Sequence, residues 1–172
     1  MQQLFSLATA QHVPLNATIT IKRIESESQA IALAPLYCAY YQRMSLTPQA
    51  FVERWKSANS HPHYYLLAAY TTDQQVCGFI DFSLIPSIFW APYVGRLDSL
   101  HVVPGQDEQQ IANALFAHAL DIFNHYQVSK IIAVSCQKFE QELRILQEYM
   151  ALDDNPTKRF FVLLGNNSAC GI

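Results

Sequence analysis

An acid that alternates with apolar residues in a strand, and a helix that begins just after that strand, are the two places where this sequence is equipped for chemistry. The acid is Asp98 in "VGRLDSLHVV" (94–103). It alternates with Leu100 and Val102, so a regular strand puts all three on one face, while His101 alternates away. If that face is apolar it penalises the carboxylate and raises its pKa, which suits a proton acceptor; the alternative is a strand-start carboxylate paired with Arg96 or solvent. The helix start lies in "PGQDEQQIANAL" (104–115). Helix N-termini present backbone N–H groups and partial positive charge, and so attract anions. This one carries adjacent acids, Asp107 and Glu108, one glycine and no basic residue. Asp107 and Gln110 have capping-box spacing, in which the carboxylate accepts from the Gln110 N–H and Gln110 reaches back. Such a box stabilises the helix by about 1 kcal/mol and occupies donors that a bound anion would use. The segment thus reads either as an anion cradle or as a capped helix.

Other polar clusters read as structural. His61 and His63 flank Pro62 with no third metal ligand in view, and His118, Asp121 and His125 form a polar edge on one helix. No metal site is expected. G-x-S-x-G and Walker motifs are absent, as is a basic stripe interleaved with aromatics.

These groups need a scaffold, and the chain is long enough for one. Its 172 residues are 51% hydrophobic and 15% charged, with net charge −3. That composition fits one folded domain and argues against nucleic-acid binding, which requires a basic surface. No apolar run reaches membrane-spanning length, and the N-terminus lacks the basic region of a signal peptide. Cys38, Cys77, Cys136 and Cys170 form no regular framework. They read as free thiols in a reducing compartment, so a cytoplasmic protein without membrane or nucleic-acid partners is expected.

Periodicity and caps predict the elements. "ATITIKRI" (17–24) is a strand. Ser26 with Gln29 caps a helix that Pro35 should bend or interrupt. Thr47-Pro48 starts a second helix, "QAFVERWKSA". Strands 63–70 and 76–85 form a hairpin across "TTDQQ", and strand 94–103 follows an aromatic loop. A helix from about 108 carries Ile111, Ala114, Leu115, His118, Ala119 and Ile122 on one face. Strand 130–136, the amphipathic "FEQELRILQEYMA" and strand 158–164 complete the chain. The predicted order is β-α-α-β-β-β-α-β-α-β, a mixed α/β (α+β) architecture with about six strands and four helices. Residues 1–16 read as an extension, 17–164 as the domain and 165–172 as a tail.

This order, with three phrases in it, resembles the GNAT (GCN5-related N-acetyltransferase) superfamily. "QQVCGFIDF" is similar to the family's third strand, "GRLDSLHVVP" to its fourth, and "NALFAHAL" to the helix that follows. The aromatic "SIFWAPYVGRLDSLHV" is most similar to the polyamine-type branch. The resemblance covers about residues 17–164. It implies a mostly antiparallel mixed sheet, acetyl-CoA as co-substrate, no metal, and a small-molecule primary amine as acceptor.

Roles follow by position. The resemblance makes Asp98 the base. Leu100, His101 and Val102 on strand four, and Gln109, Gln110, Ile111, Ala112 and Asn113 at the helix start, become cofactor-binding residues. Trp90 and Tyr93 in the aromatic segment would line an acceptor pocket, although packing under the sheet or against a second copy accounts for them equally. The family's general acid is a tyrosine in the last helix; that position falls on Ile145 or Leu146, and Tyr149 is one helical turn away. The pyrophosphate motif R/Q-x-x-G-x-G/A departs at two of its three positions, Asp107 and Gln110, and is kept at Ala112. Two readings result: an N-acetyltransferase, or a non-catalytic domain of the same fold that binds a protein partner or another ligand. The apolar last strands leave a homodimer open.

Overall fold

A computed structural model describes residues 19–41, 46–88, 92–105, 107–128, 130–135 and 159–164, with side chains from 133 onward excluded. The order is β1 (Thr20–Arg23), α1 (Glu27–Tyr40), α2 (Pro48–Asn59), β2 (Tyr64–Tyr70), β3 (Val76–Pro86), β4 (Tyr93–Val102), α3 (Glu108–His125), β5 (Lys130–Ser135) and β6 (Arg159–Leu164). The expected last helix, residues 139–151, lies outside the described residues.

Local chemistry sets most boundaries. Ser26 Oγ accepts the Gln29 N–H at 3.3 Å, and Gln29 Oε1 accepts the Ser26 N–H at 3.0 Å, so the α1 capping box forms. Thr47 caps α2 by accepting the Ala50 N–H at 3.2 Å, and Pro48 takes the first helical position, where no N–H is needed. Pro35 does not interrupt α1, which is one assigned helix through Tyr40.

Six strands form one sheet in the order β1-β2-β3-β4-β5-β6. β1 to β4 pair antiparallel, whereas β4–β5 and β5–β6 pair parallel. Helices cover both faces. α3 buries Ile111, Leu115, Phe116 and Phe123 against Ile80, Phe82, Leu97 and Leu100. On the other face α1 and α2 bury Leu33, Phe51 and Trp55 against Leu66 and Phe79. β2 and β3 are covered on both sides, which explains runs such as "YLLAA" that do not alternate.

Two glycines let α3 lie close to the sheet. A Cβ at Gly78 would meet Ile111 and Leu115 of α3 at 3.2 Å, besides the β4 carbonyl oxygen of His101 at 2.9 Å, and one at Gly95 would meet the Phe123 ring at 2.8 Å. Gly95→Ala is therefore expected to destabilise the fold by about 1–3 kcal/mol through overpacking. Urea unfolding measures this; a midpoint equal to that of the unsubstituted protein would mean that Phe123 gives way at no cost.

β4 carries two irregularities. Its parallel pairing with β5 covers only Gly95–Leu97 against Ile131–Ala133, so the strands part from Asp98 onward. On its other edge Asp81 pairs with Ser99 and Phe82 with Leu97, which leaves Asp98 as the extra residue of a β-bulge.

Candidate active site

The bulge decides which way the β4 side chains point. Leu97, Leu100 and Val102 all enter the α3-side core although the first two are three positions apart, an odd spacing. Asp98 therefore does not share the face of Leu100 and Val102, as unbroken alternation had predicted. It faces α1 and α2 and accepts from Arg96, with Nε to Oδ1 at 2.7 Å. His101 is on that same side, its ring 4.6 Å from Tyr40 and 5.7 Å from Phe79 between centroids. The expected separation of His101 from Asp98 is corrected for the same reason: the extra residue resets the period of two.

A second carboxylate, missed in the sequence, lies beside the first. Asp81 on β3 is only 4% exposed. Ser99 Oγ donates to its Oδ1, and the Tyr37 hydroxyl donates to Oδ2 at 3.1 Å. Burial pushes the Asp81 carboxyl up to about 7; the neighbouring Asp98 charge adds to the rise, and the Ser99 and Tyr37 donors oppose it. Burial also raises the Asp98 pKa, against the pull of Arg96. Tyr37, Tyr41 and Tyr64 are all raised, first by burial and then by the Asp81 charge, so they stay neutral donors near neutral pH. The available signal was the acid in "GFIDFSL", where the residues on either side are apolar.

These groups share one cavity of about 360 Å³. Asp81, Asp98 and Arg96 come from the sheet, Tyr37 from α1, and Phe51, Arg54 and Trp55 from α2. Aromatic rings thus surround two carboxylates with raised pKa values, next to the point where β4 leaves β5. Convergent titratable groups in a concave site are a physical signature of function.

At the far end of β4 the chain turns into α3. Asp107 is the N-cap, but its side chain makes no capping hydrogen bond. The expected box with Gln110 does not form. The Asp107 backbone has φ −103° and ψ 17°, away from the extended conformation that aims an N-cap side chain at the N–H groups. The Asp107 carbonyl accepts from Ile111 at 2.9 Å, so the helical ladder begins there. The first-turn N–H groups precede that ladder, and the cap does not consume them.

Residues 30–144, more than half the chain, match the acetyltransferase (GNAT) family. The chain belongs to the GNAT family. Solved structures share the fold at low identity. An aminoglycoside N-acetyltransferase, AAC(6')-Iy, in complex with CoA superposes with a TM-score of 0.67 at 15% identity, covering 90% of this chain and 99% of that one. Ribosomal-protein-alanine N-acetyltransferase from Brucella melitensis biovar Abortus 2308 gives 0.63 at 19% identity, covering 86% and 100%. Aminoglycoside 6'-N-acetyltransferase AAC(6')-Ih from Acinetobacter baumannii gives 0.58 at 18% identity, covering 87% and 99%. No curated protein matches the chain.

In this GNAT chain the residues assigned to the cofactor divide by burial. Leu100, Val102, Ile111 and Ala112 are buried in the α3-side core, so their side chains are closed to a ligand. Gln109 and Gln110 are exposed, and Gln109 Nε2 donates to Asn113 Oδ1 at 3.1 Å. β4 opens from β5, and the helix start that follows receives no side-chain cap from Asp107. The Asp107 and Glu108 side chains oppose a pyrophosphate there by charge. Tyr93 does not line the cavity: its hydroxyl bonds His63 Nε2 at 3.2 Å, and its ring packs near Tyr126. His118 Nδ1 bonds the Ala114 carbonyl at 3.1 Å. Cys77 is buried and donates to the Ala69 carbonyl at 3.4 Å, and burial raises its pKa to about 11. Trp90, Tyr149, Cys136 and Cys170 lie outside the described residues. No described helix is long and apolar enough to cross a membrane.

Proposed function

We propose that this GNAT chain transfers an acetyl group from acetyl-CoA to a small-molecule primary amine, with Asp98 as the base. The observation that carries the reading is the half-buried Asp98 at the bulge, where β4 parts from β5 beside a cavity that also holds Asp81. An acceptor ammonium gives its proton to the Asp98 carboxylate. The freed nitrogen attacks the thioester carbonyl and an N–C bond forms; that nitrogen then sheds its second proton to solvent, the C–S bond breaks, and the departing thiolate takes a proton. The family's acid position falls on Ile145 or Leu146, and Tyr149, one helical turn away in the sequence, is the candidate donor of that proton. The open edge of β4, Leu100 to Val102, offers backbone groups to the amide arm of acetyl-CoA. Of residues 109–113, Gln109 and Gln110 precede the ladder that begins at Ile111, and their N–H groups meet the phosphates of acetyl-CoA.

Calorimetry with acetyl-CoA, followed by amine-dependent release of CoA, tests the reading. Binding and turnover are expected. No heat and no turnover at millimolar acetyl-CoA would instead support a non-catalytic domain of this fold.

The paired carboxylates predict a pH dependence. Below about 7 the buried Asp81 holds its proton; above it Asp81 ionises and adds a negative charge beside Asp98. The second negative charge makes Asp98 a stronger base, so kcat/KM should rise with pH through a step near 7. In Asp81→Asn that step should vanish, leaving only the limb set by the acceptor amine. Profiles measured for both proteins decide this, and an unchanged step in the variant would remove Asp81 from the titration.

A further inference from the structure

We infer that the cavity selects an amine that also carries a carboxylate, with an aromatic or apolar body between the two, its ammonium at Asp98 on the sheet and its carboxylate at Arg54 on α2. The inference rests on the acetyl-transfer reading for its chemistry but on the cavity alone for its binding.

Four observations lead to it. The walls are aromatic: Tyr37, Tyr41, Tyr64, Phe51 and Trp55 all line the cavity. Such walls bury a flat apolar body and also favour a cation over a ring face.

The charges are split between two sides. Asp81 and the Arg96–Asp98 pair come from the strands, whereas Arg54 comes from the helical wall. Arg54 is exposed and makes no ion pair among the described residues, while Lys56 on the same helix is held by Glu27 and Glu53 at 2.9 and 3.2 Å. Trp55 lines the same cavity, and its buried indole N–H has no partner among the described residues. A guanidinium and an indole N–H both donate and cannot accept, so the matching group is an anionic or carbonyl oxygen.

The charge balance does not favour a polycation. Arg96 neutralises Asp98 at 2.7 Å, Asp81 is largely protonated up to about neutral pH, and Arg54 adds a positive charge. The lining is therefore close to neutral or slightly positive. A zwitterion matches it, whereas an aminoglycoside, with several ammonium groups, does not.

The size also fits. A volume of about 360 Å³ holds about a dozen water-sized groups at about 30 Å³ each. That is the scale of one substituted ring.

A matched set of acceptors tests the inference: 4-(aminomethyl)benzoate, benzylamine (the same amine without the carboxylate) and kanamycin. With acetyl-CoA and the full chain, kcat/KM is expected to be at least about tenfold higher for 4-(aminomethyl)benzoate than for benzylamine, as one charge-assisted contact provides, with kanamycin the poorest. Arg54→Gln should reduce the ratio of the first two at least tenfold, and Arg54→Lys should restore part of it. Equal ratios in the two proteins, or a preference for kanamycin, would overturn the inference. Calorimetry without acetyl-CoA separates it from the enzyme reading. If no acceptor turns over, tighter binding of 4-(aminomethyl)benzoate than of benzylamine, lost in Arg54→Gln, would uphold the site and sink the enzyme. Absence of that binding difference together with absence of turnover would sink both.

Discussion

Asp98→Asn is expected to lower kcat for acetyl transfer by a factor of about 10² to 10⁴, the usual cost of losing a general base. The affinity for acetyl-CoA should change far less, because the substitution removes a proton acceptor and leaves the β4 backbone in place. Asparagine has almost the shape of aspartate, and its Oδ1 can still accept from Arg96. The ion pair it replaces is partly solvated, with side-chain exposures of 50% for Arg96 and 28% for Asp98. Such pairs contribute about 1 kcal/mol or less, so the melting temperature should move by only a few degrees. A large fall in kcat with a stable fold therefore reports chemistry. Turnover that stays unchanged across the pH profile would remove Asp98 from the mechanism.

The start of α3 gives the second large effect. The triple variant Asp107→Arg, Glu108→Gly and Gln110→Gly is expected to bind CoA at least tenfold more tightly than the unsubstituted protein. Two carboxylates beside a pyrophosphate cost about 1 kcal/mol each at about 4 Å in water. A guanidinium in their place adds a charge-assisted contact of about 1.5–3 kcal/mol, and 1.4 kcal/mol is tenfold. The structure lowers the opposing cost. Asp107 makes no side-chain cap, so none is lost. The two helix-start glycines destabilise by about 0.5–1 kcal/mol each, or a few degrees in melting temperature. Calorimetry of both proteins with CoA measures the change. An affinity that is unaltered or weaker in the variant would show that the pyrophosphate does not sit at this turn.

The architecture was largely legible because the signals for it are local. The Ser26–Gln29 box and the Thr47-Pro48 pair each act within four residues, and both form where expected. Strand boundaries were read to within about one residue from β2 to β5, because apolar runs and turn residues mark them directly. Parallel placement of β4 beside β5, parting toward the end of β4, follows from a strand-helix-strand crossover and the family phrases around it.

Three features of the site belong to the tertiary structure. The bulge at Asp98 is a register mismatch between two strands, and nothing within "GRLDSLHVV" marks where its partner loses count. That one residue moved Asp98 and His101 to the side of α1 and α2, where reading β4 alone had set them apart. Asp81 was visible as a lone acid among apolar neighbours, but its pKa depends on what covers it and on the hydroxyls of Tyr37 and Ser99, 44 and 18 residues away. Asp107 had the sequence of a capping box and not its backbone conformation, because its φ and ψ are set by how the chain leaves β4 and meets the sheet under α3. The sequence by itself determined which segments become strands and helices and that the chain is a GNAT protein, since short-range hydrogen bonds and periodic burial decide those. Only the folded structure decided which acids face each other and which N–H groups stay uncapped, since these depend on register and burial between segments far apart in the chain.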